Sequence, residues 1–220
     1  MSSEARIRTS PSLPAGRRAV LYAVRRRGEA TAEQVAEQLD MTVSGARQHL
    51  TALARDGYLD TTEIASSQPK RGRRPLAYTV TEAADTVFPK AYGELTNELL
   101  GYVTDHDPQL VDDLFARRRE HRIASAHARL AHQPDLGAKV AELTRILDED
   151  GYLASSEEVE PGVYRIIEHN CAIWAVAQKY GQACSSEIDF IRAVLPEARV
   201  ERVQHMIAGA RRCAYEVCPA

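Results

Sequence analysis

Residues 31–59 read TAEQVAEQLDMTVSGARQHLTALARDGYL, and this stretch decides the fold of the first third of the chain. Thr31 followed by Gln34 fits a capping box: the Thr hydroxyl accepts a helix N–H and the Gln side chain reaches back to the Thr backbone. Val35, Ala36 and Leu39 mark the inward face of that helix, which ends near Asp40. Met41-Thr42-Val43 reads as a short turn. A further helix is predicted from about Ser44 to Asp56, with Ala46, Leu50 and Leu53 as its buried stripe and Gly57 as a left-handed stop.

Upstream, Val20, Leu21 and Val24 give one apolar face to a helix between Pro14 and Arg27, closed by Gly28. Downstream the period changes. Tyr58-Leu59 leads into the β-prone run TTEIA, then a turn-rich basic loop, SQPKRGRRP, then a returning strand, Leu76 to Val80. Helix, helix, turn, helix, hairpin is the order of a winged helix-turn-helix. A helix of this kind fits the major groove of DNA. Its outward residues are Ser44, Gly45, Arg47, Gln48, His49 and Thr51. Arg47 can pair with guanine and Gln48 with adenine. Thr42 and Ser44 can hold phosphate near the helix start, and Gly45 lets the backbone come close. Lys70, Arg71, Arg73 and Arg74 suit a wing on the phosphate backbone or in the minor groove, or else a solvated loop.

Charge is divided along the chain. Residues 1–80 hold 13 Lys and Arg against 8 Asp and Glu, a balance of +5, while the other 140 hold 15 against 23, a balance of −8. A basic third on an acidic chain points to a local polyanion-binding module, with chance segregation as the rival reading. No apolar run approaches the ~20 residues of a membrane helix. The basic N-terminus lacks the apolar core of a secretory signal, so a cytoplasmic protein is expected.

From Thr81 to about His132 the pattern is helical, interrupted at Phe88-Pro89. Tyr92, Leu95, Leu99 and Val103 follow helical spacing, and RRREHR (117–122) reads as a solvated helix face in preference to a polyanion site. Leu136 to Leu147 is another amphipathic helix, stopped at Gly151. Beyond it the expected order is strand 153–160, strand 163–169, helix 172–180, helix 185–195, strand 199–206 and strand 212–217. The fold class is therefore α+β and mainly helical. Three segments are expected: a winged helix-turn-helix DNA-binding domain (1–81), a helical linker and dimerisation segment (82–133), and a compact α+β sensor domain (134–220).

All four cysteines, Cys171, Cys184, Cys213 and Cys218, lie in the last quarter. Clustered cysteines in a reducing compartment favour metal or redox chemistry over disulfides. Their spacing is not that of a zinc knuckle. Cys171, Cys184 and Cys213 fall at element ends, and helix N-termini lower a thiol's pKa. Three such thiolates suit a soft metal or an iron–sulfur cluster, and the competing reading is three small buried hydrophobes.

The first third, with the wing segment Gly72 to Tyr78, resembles winged-helix regulators of the broad ArsR/DeoR-like grouping. The segment EHNCAIWAVAQKYGQACSSEIDFIRAVLPEARVERVQHMIAGARRCAYEV resembles the sensor domain of the suf-operon repressor family. That family's pattern, C-x12-C-x13-C-x14-C, matches Cys171, Cys184 and Cys213 but meets Ala198 where a cysteine is expected. The resemblance implies a homodimeric repressor of iron–sulfur assembly genes that binds an inverted-repeat operator when loaded with a [4Fe–4S] cluster. Cys171, Cys184 and Cys213 are then the ligands, and the departure at Ala198 leaves His169 or Cys218 as candidates for the fourth place. His169 is slightly favoured, because strand alternation puts it on the side of Cys171.

Three rival readings stand beside this one: a regulator sensing zinc or thiol redox state through the same cysteines, an enzyme with a DNA-binding module, and an interaction adaptor. The sequence has no Gly-rich phosphate loop, nucleophile elbow or HExxH to support the enzyme, so no small-molecule substrate is expected. The basic wing and polar helix face argue against the adaptor.

Overall fold

The computed structural model describes residues 13–64 and 76–220. The chain divides between Lys90 and Ala91 into two compact units.

The first unit contains α1 (Ala15–Arg27), β1 (Glu29–Thr31), α2 (Ala32–Gln38), α3 (Val43–Arg55), β2 (Leu59–Glu63) and β3 (Leu76–Val80). The capping box forms as the sequence requires: Gln34 N donates to Thr31 Oγ1 at 3.3 Å, and Thr31 N donates to Gln34 Oε1 at 2.8 Å. Val20, Leu21, Val24, Val35, Leu50 and Leu53 are sealed in one core between the helices and the sheet. Strands β2 and β3 pair antiparallel, with Leu59 opposite Val80 and Glu63 opposite Leu76. Sequence periodicity missed β1, because three residues cannot display an alternation. It exists through its pairing with β3, Ala30 opposite Tyr78. Gly57 takes φ +80° after α3, the left-handed stop that a β-carbon would oppose. Residues 82–87, expected within a helical stretch, form a 3₁₀ turn before the Phe88-Pro89 break.

The second unit contains α4 (Tyr92–His106), α5 (Pro108–Leu130), α6 (Leu136–Leu147), β4 (Ala154–Glu160), β5 (Val163–Glu168), α7 (Trp174–Ala177), α8 (Gln182–Val194), β6 (Ala198–Gln204) and β7 (Cys213–Pro219). The four strands form an antiparallel sheet in the order β4-β5-β7-β6. Leu143, Leu147, Ile166, Phe190, Ile191 and Tyr215 lie at the centre of its core. The two-strand, two-helix, two-strand order agrees with the sequence. The first of the two helices is much shorter than the expected 172–180, because residues 171–173 are needed to leave the sheet.

Arg122 corrects the reading of RRREHR. Its side chain is 11% exposed; Nη1 donates to Glu187 Oε2 and Nη2 to Asp150 Oδ2, each at 2.8 Å. The guanidinium also stacks 4.1 Å above the Phe190 ring. One face of this basic run is thus built into the core, where the sequence shows only charge.

Helix α4 buries none of its residues. Tyr92, Leu95, Leu99 and Tyr102 stand exposed along it, with Leu110 and Leu114 on α5. Its tie to α7 is close: a β-carbon on Gly93 would lie 2.6 Å from that of Ala175. Asn97 Nδ2 donates to the Ala175 carbonyl at 2.8 Å.

Candidate functional site

Two arrangements carry chemistry, one in each unit. In the first, α3 presents a polar face opposite its Ala46, Leu50 and Leu53 stripe. Thr42 caps the helix, its hydroxyl accepting from Gly45 N at 3.1 Å. Gly45 has a local reason to be glycine: a β-carbon there would lie 3.2 Å from the capping oxygen. Ser44, Arg47, Gln48 and Thr51 are exposed, and His49 is half-buried beside Gly16 of α1. Arg47 Nη2 donates to Glu33 Oε1 on α2. Lys70, Arg71, Arg73 and Arg74 lie outside the described residues.

In the second unit, Cys171, Cys184 and Cys213 line one small cavity, with internal room of about 20 Å³ and a mouth open to solvent. They arrive from three different places. Cys171 sits in the turn after β5, Cys184 in the first turn of α8, and Cys213 at the start of β7. Asn170 anchors the first of these, its N donating to the Tyr152 carbonyl at 3.0 Å and Nδ2 to the Gly151 carbonyl at 2.7 Å. Gly151 (φ +91°) and Leu153 (φ +49°) form the left-handed corner that receives it.

The thiols are not poised as thiolates, which corrects the expectation drawn from helix ends. Burial pushes all three upward, beyond what local groups offset: the Ile173 N–H at Cys171, Arg202 at Cys184 and the Met206 N–H at Cys213. A group that takes thiolates must displace those protons.

Polar groups that sequence reasoning missed share the cavity. Glu168 and Glu187 are both buried. Tyr215 donates to Glu168 Oε2 at 3.2 Å, and Tyr152 donates to Glu187 Oε2 at 3.0 Å. Desolvation, then the neighbouring Glu187 carboxylate, push Glu168 up to about 8. Arg202 donates through Nη2 to the Cys184 carbonyl and lies 5.3 Å from the Tyr215 ring. His205 is held below its ordinary value by burial and by Arg202. Four buried atoms around the cavity have no hydrogen-bond partner among the described residues: Glu168 Oε1, Glu187 Oε1, Arg202 Nε and His205 Nε2. Such orphans are costly in a finished interior, and each has bonding capacity left for a water or a ligand. Their only sequence signal was charge embedded in strands β5 and β6 and in helix α8.

The two candidates for the fourth place lie elsewhere. Strand β5 ends at Glu168, which faces the cavity, so the alternation assumed for His169 stops there. His169 is exposed, its Nε2 3.0 Å from Ser155 Oγ. Cys218 belongs to β7, which continues straight to Pro219. It is five residues and roughly 17 Å from Cys213, on the other face. Position 198 is equally remote: Ala198 pairs with Pro219, whereas Gln204 at the other end of β6 pairs with Ala214. A cysteine there would be seven residues, roughly 23 Å, from His205.

Residues 15–61 match the family described as bacterial regulatory protein, arsR family. No curated protein and no solved structure matches the chain. Among the described residues no helix is long and apolar enough to cross a membrane. The capped helices, the polar face of α3 and this match make the N-terminal unit the helix-turn-helix domain of a DNA-binding transcriptional regulator.

Proposed function

We propose that the chain is a homodimeric repressor of iron–sulfur assembly genes, and that its operator binding depends on an iron–sulfur cluster held by Cys171, Cys184 and Cys213. The observation carrying this reading is the meeting of three thiols from three separate elements on one cavity whose remaining polar atoms lack partners. The donor set suits the group. Thiolates take iron, Arg202 offsets negative charge at Cys184 and Cys213, and the orphaned Arg202 Nε can donate to a sulfur. When bound, the group supplies a redox-sensitive centre whose loss reports oxidants or iron shortage. The walls of the cavity do the rest: the chain favours whichever conformation presents the three sulfurs together, and DNA affinity follows if that conformation also spaces two recognition helices about 34 Å apart. A single zinc ion has less support, because among the described residues no three His, Cys, Asp or Glu side chains form a group for one ion. The second copy is supported by the exposed Tyr92, Leu95, Leu99 and Tyr102 stripe, which repeats at helical spacing.

Anaerobic purification with iron and sulfide analysis, a visible spectrum and operator titration test the reading. Cys171→Ser, Cys184→Ser and Cys213→Ser should each deplete the cluster and weaken operator binding in the same order. Full operator affinity in cluster-free Cys171→Ser protein would overturn the coupling.

A further inference from the structure

We propose that the fourth protein ligand of this site is the His205 imidazole, through Nε2, an assignment that rests on the cluster reading above. His205 lines the same cavity as Cys171, Cys184 and Cys213. Its Nε2 is buried and has no hydrogen-bond partner among the described residues. The backbone fixes it there. His205 follows the last residue of β6, and its carbonyl accepts from Ala208 N and Ala210 N at 3.1 Å, closing a tight turn back toward β7. The next residue bonds a cysteine directly, Met206 N donating to Cys213 Sγ at 3.4 Å. One turn therefore positions both a thiol and an imidazole.

Two carboxylates in the same cavity also have an unpartnered oxygen, Glu168 and Glu187. Each is otherwise engaged, Glu168 by Tyr215 and Glu187 by Tyr152 and Arg122. A carboxylate would add a further negative charge beside three thiolates in a buried site, and it is a harder donor than iron–sulfur chemistry favours. A neutral imidazole adds no charge and suits iron. The absence of a cysteine at position 198 then costs the site nothing, since that position lies at the far end of β6.

The test uses the full chain with histidine labelled in ¹⁵N, reconstituted anaerobically with iron and sulfide and reduced by one electron with dithionite. Pulsed electron paramagnetic resonance of the wild type should show strong hyperfine coupling to one histidine nitrogen. That coupling should disappear in His205→Ala and His205→Cys and persist in His169→Ala and Cys218→Ser. Iron loss to a chelator should quicken at least about tenfold in His205→Ala, and His205→Cys should restore the lifetime with a sulfur in place of the nitrogen. His205→Cys also keeps the test meaningful if the alanine variant fails to fold. Coupling that survives in His205→Cys overturns the assignment, as does a loaded wild type without nitrogen coupling. A wild type that takes up no iron or sulfide, seen as absent visible absorbance, overturns it together with the cluster reading.

Discussion

Arg47 on α3 is paired with Glu33 on α2, Nη2 to Oε1 at 3.1 Å, with both side chains more than half exposed. The residue expected to read a guanine is thus held by an acid on the neighbouring helix, and in that role it would exchange that partner for a base. An exposed pair of this kind is worth about 0–1 kcal/mol, so the exchange is cheap. Arg47→Ala should cost roughly 1–3 kcal/mol at the cognate site and relax specificity at one base pair. Glu33→Gln should raise affinity by up to about fivefold at low salt. Fluorescence anisotropy on matched and mismatched duplexes checks both, and unchanged base preference in Arg47→Ala would show that another helix reads the DNA.

The wing is expected to act differently. Neutralising Arg73 or Arg74 should weaken all DNA sequences alike and lower the salt slope by about one for each phosphate left without its cation. Binding isotherms from 50 to 200 mM salt, roughly the range over which phosphate neutralisation tells, measure this directly. A slope that does not move would leave the basic loop as a solvated surface.

Arg122 joins α5 to α8 through Glu187, with side chains 11% and 5% exposed. Removing one member of a buried pair leaves the other uncompensated, at roughly 3–5 kcal/mol. Arg122→Ala should lose about that much in urea unfolding, and adding Glu187→Gln should return part of it. A loss below about 1 kcal/mol would mean that solvent already reaches the pair.

Glu168 gives a pH dependence with a definite sign. Its folded value, about 8, lies above the ordinary 4.5, so the folded chain holds a proton that the unfolded chain releases. Between those values folding takes up a proton, and stability falls as pH rises. Glu168→Gln removes the effect. The metal-free variant should gain on metal-free wild type progressively from pH 5 to pH 8 in thermal unfolding, and parallel curves would show that Glu168 ionises normally in the fold.

For assembly, Leu95→Glu with Leu99→Glu places charge in the exposed stripe of α4. Light scattering at micromolar concentration should report a dimer for the wild type and a monomer for the variant, with operator affinity lost in parallel. A wild type that is monomeric both free and on DNA would remove the half-site argument.

The helix-turn-helix was legible in the sequence because its determinants are local. Thr31 and Gln34 are three residues apart, and Ala46, Leu50 and Leu53 repeat along one helix. The succession of strands and helices over residues 153–217 was legible for the same reason, whereas their order in the sheet was not. What stayed hidden was set by long-range pairing. The three-residue β1 exists only through β3, and Arg122 is buried only because Glu187 and Phe190 come from 65 or more residues away. His205 carried no signal by spacing, since a turn and a sheet register bring it to the cysteines. His169 looked better by proximity in sequence, and the end of β5 at Glu168 undoes that proximity.

Gly93 removes the clearance between α4 and α7. With only 2.6 Å for a β-carbon against Ala175, and Asn97 bonded to the Ala175 carbonyl, the two helices have no slack in which to slide. Helix α7 begins three residues after Cys171. If the proposed site at Cys171 fills, a displacement of that thiol would be passed through α7 to α4, the helix that displays Leu95, Leu99 and Tyr102 to the outside. Occupancy of an interior site would then be felt at the molecular surface, through a joint that fits because Gly93 has no side chain.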